Sequence, residues 1–171
     1  MTAQIANGGY KIKPKIIVDN NPISAEEAKA LMRQEIIEGN GKKLFKYEKN
    51  IKIVQEAMFS STNERFGTSY RSRIDDPKYQ FAGKTGTAQV KRISKREREL
   101  DLELEQIPYK DRDHALYVAY GPYINPRYAL SIIVEHGGSG SKAAAPIAKK
   151  LFKLIIDRHE FRNKQSNFEE I

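Results

Sequence analysis

The residues with the clearest chemical potential are Lys84-Thr85-Gly86-Thr87. On a strand, Lys84, Gly86 and Ala88 face one way and Thr85 and Thr87 the other, because successive side chains alternate. A glycine between hydroxyl residues lets a second extended chain approach the backbone. The neighbouring ammonium adds positive potential for a carboxylate. Together they suit a strand edge that receives a peptide carboxyl terminus by β-augmentation. Four common residues also meet by chance, and a plain edge strand with solvated threonines is the competing reading.

Other chemistries fit less well. Gly83-Lys84-Thr85 has the ending of a phosphate-binding loop, but that motif needs a glycine five residues before Gly83, where this chain has Lys78. His114, His136 and His159 fall on three separate expected elements, without paired carboxylates at ligand spacing. Neither a metal site nor a cofactor is expected. Lys91, Arg92, Lys95, Arg96 and Arg98 form a basic cluster, but it lacks interleaved aromatics and an acidic run neutralises it. It is a weak nucleic-acid footprint.

The elements that must position the tetrad can be read from periodicity. Met1-Thr2-Ala3-Gln4-Ile5-Ala6-Asn7-Gly8-Gly9 reads as the last turns of a helix followed by an Asn-Gly-Gly stop. Lys11–Val18 reads as a short extended piece around Pro14, and Ser24 with Glu27 as a capping box before a helix to about Ile37. A second helix is expected over about Asn50–Phe59, then polar residues with Gly67. Tyr79–Val90 reads as a strand carrying the tetrad. His114–Tyr120 and Arg127–Glu135 read as a hairpin pair, with Leu116, Val118 and Tyr120 on one side. A last helix over about Ala143–Asp157 would bury Ala144, Ile147, Ala148, Leu151, Leu154 and Ile155. Three strands and an amphipathic helix imply an α+β arrangement, a sheet with a helix across one face.

Lys91–Asp113 holds seven basic and seven acidic side chains, so it reads as a solvated helix or mobile insertion. Residues from about Glu160 read as a polar tail. The organisation expected is one domain over residues 1–159, with the charged insertion at about 91–113, and a tail over 160–171.

Composition sets outer bounds. A chain of 171 residues supports one domain with a modest core. With 39% hydrophobic and 30% charged residues it is too apolar to be wholly disordered. Zero cysteines exclude a disulfide framework and cysteine-ligated zinc. No apolar run reaches the length of a membrane span. The net charge of +8 favours an acidic partner without choosing nucleic acid, anionic lipid or a carboxylate-bearing polymer. A basic nucleic-acid-binding domain is the remote alternative; it rests on that charge alone.

The tetrad has company. Ile5-Ala6-Asn7-Gly8-Gly9, Phe66-Gly67-Thr68-Ser69-Tyr70, Phe81–Val90, Tyr117-Val118-Ala119-Tyr120-Gly121-Pro122-Tyr123 and Val134-Glu135-His136-Gly137-Gly138 occur in one order. Together they closely resemble the C-terminal part of the transpeptidase domain of class B penicillin-binding proteins, most of all the elongation type, penicillin-binding protein 2. The likeness covers about Met1 to Asp157. Five ordered segments are far more specific than any one of them.

The resemblance implies the C-terminal portion of the penicillin-binding transpeptidase and serine β-lactamase-like fold, an α/β sandwich from which three antiparallel strands and covering helices are present. It implies a serine-type peptidoglycan D,D-transpeptidase, in which a serine attacks the penultimate D-Ala of a stem peptide and β-lactams acylate the same serine. Lys84 and Thr87 would then serve catalysis: Lys84 through the hydrogen-bond network and potential of the site, Thr87 through a backbone N–H in the oxyanion hole. Thr85, Gly86 and Thr87 would bind the substrate, with Gly86 leaving room for its backbone.

The family's Ser-x-x-Lys and Ser-x-Asn motifs would lie upstream of Met1. By this reading the chain is inactive alone, or is a binding half that pairs with a separate upstream piece. Ser139-Gly140-Ser141-Lys142 and Ser61-Thr62-Asn63 repeat those spacings. The first sits in a glycine-rich loop and the second in a polar stretch after a helix, so both are read as chance. The implied partners are the stem peptide, β-lactams, the upstream part of the same domain and a glycan polymerase of the elongation complex, with no nucleic acid. The implied location is the periplasmic side of the cytoplasmic membrane.

Overall fold

A computed structural model describes residues 1–14, 41–92 and 102–169, with side chains to Phe161. In chain order come α1 (Thr2–Ala6), α2 (Glu48–Asn63), a 3-10 turn at Tyr70–Ser72 and β1 (Ala82–Ala88). Two further 3-10 turns at Leu104–Gln106 and Tyr109–Asp111 precede β2 (His114–Gly121) and β3 (Tyr128–Val134). A π-helical turn at Gly140–Ala144 leads into α3 (Ala145–Glu169). The extended piece is described only over its first residues, Lys11–Pro14, where no strand forms; the helix expected from Ser24 lies outside the described residues.

The sheet is antiparallel in the order β1-β2-β3. Ala82 pairs with Tyr120 and Ala88 with His114, while Ala115 pairs with Val134 and Gly121 with Tyr128. This is the expected hairpin. The tetrad strand is shorter than the expected Tyr79–Val90: Tyr79 and Gln80 belong to a turn closed on Asp76 and Pro77, and the Val90 N–H is taken by the Asp113 side chain.

Both faces of the sheet are covered, where one covered face was expected. On one face Phe81, Ala115, Tyr117 and Ala119 pack against Ala144, Ala145, Ala148, Phe152 and Ile156. On the other, Ala82 and Tyr120 meet Met58 of α2, with Ile5 and Ala6 of α1 at the margin. A strand covered on both sides carries apolar residues at successive positions. The α3 side is the more densely packed, so Ala115, Tyr117 and Ala119 are more deeply buried than Leu116 and Val118.

The buried stripe of α3 is also turned from expectation. Ala144, Ala148, Phe152 and Ile156 form a row at four-residue spacing, whereas Ile147 and Leu154 are exposed, Leu154 to 63%. Small alanines bring the helix close to the sheet, and Phe152 then stacks on Phe81 with centroids 4.8 Å apart. The helix runs on to Glu169, past the expected end at Asp157.

Local bonds fix the remaining elements. The Asn7 side chain accepts from the N–H groups of Gly9 and Tyr10, ending α1 as its sequence implies. Gln55 of α2 donates to the Ile5 and Ala6 carbonyls, tying the end of α1 to α2. Of the charged segment, residues 93–101 lie outside the described residues. Residues 102–113 form the two 3-10 turns, and Leu104 reaches the Gly138 backbone. That part is neither the helix nor the loose insertion expected.

Lys78 bridges to Asp157 at 3.1 Å and Glu160 at 2.8 Å, and Tyr79 donates to Asp157 at 2.5 Å. These contacts tie the turn before β1 to α3. The Tyr79 hydroxyl, then the Lys78 ammonium, hold the Asp157 carboxyl below its ordinary range. A lowered carboxylate pKa contributes stability above the unfolded value, and that contribution fades as pH falls through the folded value.

Two outcomes are expected. Phe152→Ala removes a fully buried ring and lowers stability by about 3–5 kcal/mol in chemical denaturation; a loss under about 1 kcal/mol would contradict the Phe81 packing. Asp157→Asn flattens the fall in melting temperature between about pH 5 and about pH 3, read by circular dichroism. An unchanged slope would show that the Tyr79 and Lys78 contacts do not form in solution.

Candidate active-site wall

The candidate edge begins where α2 ends. Asn63 Nδ2 donates to the Phe81 carbonyl at 2.9 Å, and Thr62 Oγ1 accepts from the Gly83 N–H at 3.1 Å while lying 3.4 Å from the Gly83 carbonyl. The backbone groups of Phe81 and Gly83 therefore point away from β2 toward α2. Backbone direction alternates along a strand, so Thr85 and Thr87 present theirs to the same edge beyond the end of the helix, which no strand pairs among the described residues. The even positions, Lys84 and Gly86 included, turn their backbone groups toward β2.

This corrects the reading of Ser61-Thr62-Asn63. These residues form the last turn of α2, four residues past its expected end, and Thr62 is completely buried. The helix continues because Thr62 and Asn63 find partners on β1 as α2 closes against it. No local periodicity signals that.

Around Thr62 three buried hydroxyls meet. Tyr117 Oη lies 3.0 Å from Thr62 Oγ1 and 3.1 Å from Ser69 Oγ, and the latter two are 3.3 Å apart. Tyr117 stands on β2 and reaches α2 by passing over β1 at Gly83, where a Cβ would overlap the phenol. Burial pushes the Tyr117 hydroxyl above its usual pKa, against the opposing effect of its Ser69 and Thr62 bonds. Ser69 also donates to the Ser61 carbonyl through both its hydroxyl and its N–H, each at 3.0 Å. That fixes the Gly67–Ser69 loop on the end of α2.

The loop sets Thr68 against the tetrad. Thr68 Oγ1 lies 3.2 Å from Thr85 Oγ1 and 3.2 Å from Ser61 Oγ, a line of three partly exposed hydroxyls. The sequence motif around Thr68 carries no signal that its hydroxyl joins the site. Only the fold brings positions 61, 68 and 85 together. Lys84 projects from the opposite face, and its Nζ donates to the Thr85 carbonyl at 3.0 Å and lies 3.4 Å from Thr85 Oγ1. Among the described residues no carboxylate pairs with it. Gly86 lies beside Gly140, where a Cβ would strike the Gly86 and Leu116 carbonyls, so the turn into α3 is pressed onto the sheet backbone. Thr87 is exposed at the strand's end.

The competing constellations do not assemble. The Gly83 N–H is occupied by Thr62, which removes it from a phosphate cradle. Ser139 Oγ pairs with Ser141 Oγ at 2.9 Å, and no hydrogen bond joins it to the Lys142 ammonium. Two histidines do meet, which their sequence separation hid. His136 donates its backbone N–H to His114 Nδ1 at 2.9 Å, and its own Nδ1 lies 3.0 Å from the Arg112 carbonyl. The pair latches the end of β3 to the start of β2. No group of three potential metal ligands occurs among the described residues.

What the edge can do is bind an extended chain ending in a carboxylate: backbone groups for the chain, hydroxyls and an ammonium for its charge. The family described as penicillin binding protein transpeptidase domain matches residues 1–153. The peptidoglycan D,D-transpeptidase MrdA of Salmonella typhimurium is 36% identical over 105 residues, 61% of this chain and 16% of that protein. MrdA of Haemophilus influenzae is 35% identical over 104 residues, 61% of this chain and 15% of that protein. The chain thus spans a small part of the relatives it matches.

Among solved structures, Pseudomonas aeruginosa PBP2 in complex with WCK 5153 is similar with a TM-score of 0.60 and 27% identity, over 90% of this chain and 28% of that one. Helicobacter pylori PBP2, solved in complex with MreC, is similar with a TM-score of 0.57 and 28% identity, over 90% of this chain and 23% of that one. These neighbours are penicillin-binding proteins, in keeping with the three-stranded antiparallel sheet and covering helices that the resemblance implied. With Lys84-Thr85-Gly86 on the free edge of such a sheet, the chain belongs to the penicillin-binding protein transpeptidase domain family.

Proposed function

We propose that this chain supplies the Lys-Thr-Gly wall of a peptidoglycan D,D-transpeptidase site. The observation that carries the reading is the free half of the β1 edge, open beyond the end of α2 and flanked by the Thr68 and Thr85 hydroxyls. A stem peptide lies along this edge as an added strand. Its terminal carboxylate accepts from the Thr85 and Thr87 hydroxyls, and the Lys84 ammonium supplies attraction from the other face. Gly86 leaves the backbone low enough for close approach. The Thr87 N–H, aimed at the free edge by strand alternation, donates to the oxyanion that forms on the attacked D-Ala carbonyl.

The attacking serine belongs to a segment upstream of this wall. β-Lactams, whose carboxylate imitates the peptide terminus, use the same groups. The resemblance also supports a setting on the periplasmic side of the cytoplasmic membrane, beside a glycan polymerase of cell elongation. Among the described residues, no helix is long and apolar enough to cross a membrane.

The test is covalent labelling with a fluorescent penicillin, resolved on a denaturing gel. The chain is mixed with an upstream piece of a matched relative that carries the family's Ser-x-x-Lys serine. Label is expected on the upstream piece only when this chain is present, with no band on this chain alone. Lys84→Ala or Thr85→Val in this chain lowers the labelling rate at least about 10-fold. A band mapped to Ser139 or Ser61 would overturn the assignment of the nucleophile. Labelling at an unchanged rate in both variants would remove the β1 edge from the site.

A further inference from the structure

We infer that Tyr117 is a positioning residue of this wall: its hydroxyl, held between Thr62 and Ser69, sets the Thr68 loop and the β1 edge at the spacing that a carboxylate requires. The inference rests on the reading of the edge given above.

Four separate pieces of chain converge on this one atom. Tyr117 comes from β2, Thr62 from α2 and Ser69 from the loop after it, while Gly83 of β1 lies beneath the ring. Thr62 bonds the Gly83 backbone, so the height of β1 against α2 is set there. Ser69 is the chain neighbour of Thr68, so the same contact sets where the Thr68 hydroxyl stands. Two residues along the strand from Gly83 is Thr85, whose hydroxyl Thr68 meets. Tyr117 touches none of the groups assigned to the ligand. It determines the distance between one of them, Thr85, and the Thr68 hydroxyl beside it.

The hydrogen-bond balance separates this role from plain support. Ser69 retains the Ser61 carbonyl as acceptor, and Thr62 retains the Gly83 and Met58 carbonyls. Tyr117→Phe therefore removes one donor and strands no other. The ring remains to fill the space over Gly83. The chain is expected to fold and to lose the coupling between loop and strand.

The experiment titrates ¹⁵N-labelled chain with acetyl-D-Ala-D-Ala and, separately, with the same dipeptide closed as its C-terminal amide. Wild type prefers the carboxylate. In Tyr117→Phe that preference falls about 5-fold, the effect of one neutral hydrogen bond, while binding of the amide and the melting temperature change little. Ser69→Ala, which breaks the triangle from the loop side, gives the same pattern and is read in its place should Tyr117→Phe not fold. Equal weakening of both ligands, or an unchanged preference in a folded variant, overturns the positioning role and leaves the reading of the edge intact. A wild-type chain with no preference for the carboxylate overturns the reading of the edge, and the role of Tyr117 with it.

Discussion

Everything at the functional edge depends on one buried polar junction, the hydroxyls of Thr62, Ser69 and Tyr117. Three hydroxyls taken out of water destabilise a fold unless each finds partners. Here each does, and the partners belong to different elements. Satisfying them forces α2, β1, β2 and the Gly67–Ser69 loop into one arrangement. An apolar contact in the same place would tolerate sliding, because dispersion and burial have little directionality. Hydrogen bonds near 3 Å do not. Gly83 belongs to the same constraint, since any side chain there would lift Tyr117 off β1.

The two covered faces divide the labour. Against α3 the contact is close and apolar, built on an alanine row with Phe152 stacked on Phe81. It anchors β1 at the end where the strand begins. Gly140 brings the turn before α3 onto the Gly86 backbone and steadies the middle of the strand. The opposite face is thinner, with Met58, Tyr120 and the margin of α1. Lys84 emerges on that side into solvent, so its charge reaches the edge by folding back to the Thr85 carbonyl.

Where the sequence was legible, the signal was local. The β2–β3 hairpin follows from alternation and a loop full of turn formers, and the end of α1 from Asn-Gly-Gly. The position of Lys84-Thr85-Gly86 on a strand follows from its alternation. The buried side of α3 was misread because Ile147 and Leu154 outweigh alanine in hydrophobicity, while the packing selected small residues that permit close approach. Thr62 and Asn63 resemble solvated turn formers because their partners on β1 and β2 lie 18 to 55 positions away. The same blindness hid the His114–His136 latch, two residues 22 positions apart that meet only once the hairpin closes. Periodicity reports which side of an element is buried; it does not report which polar groups find each other inside.

The division of the β1 edge gives the site its shape. Thr62 and Asn63 take the outward groups of Phe81 and Gly83, so an incoming strand cannot pair there. Pairing must begin at Thr85. The Thr85 carbonyl is already held by Lys84 Nζ, so a ligand N–H that takes this carbonyl must release the ammonium. Little is lost in that exchange, because one hydrogen bond replaces another and the freed ammonium gains a carboxylate nearby. If the edge receives a stem peptide as proposed, it is selective in a way backbone pairing alone is not. On the function proposed above, an extended chain without a terminal carboxylate would displace the ammonium and return nothing to it, whereas a chain that ends in one would give it a charge partner in the same step.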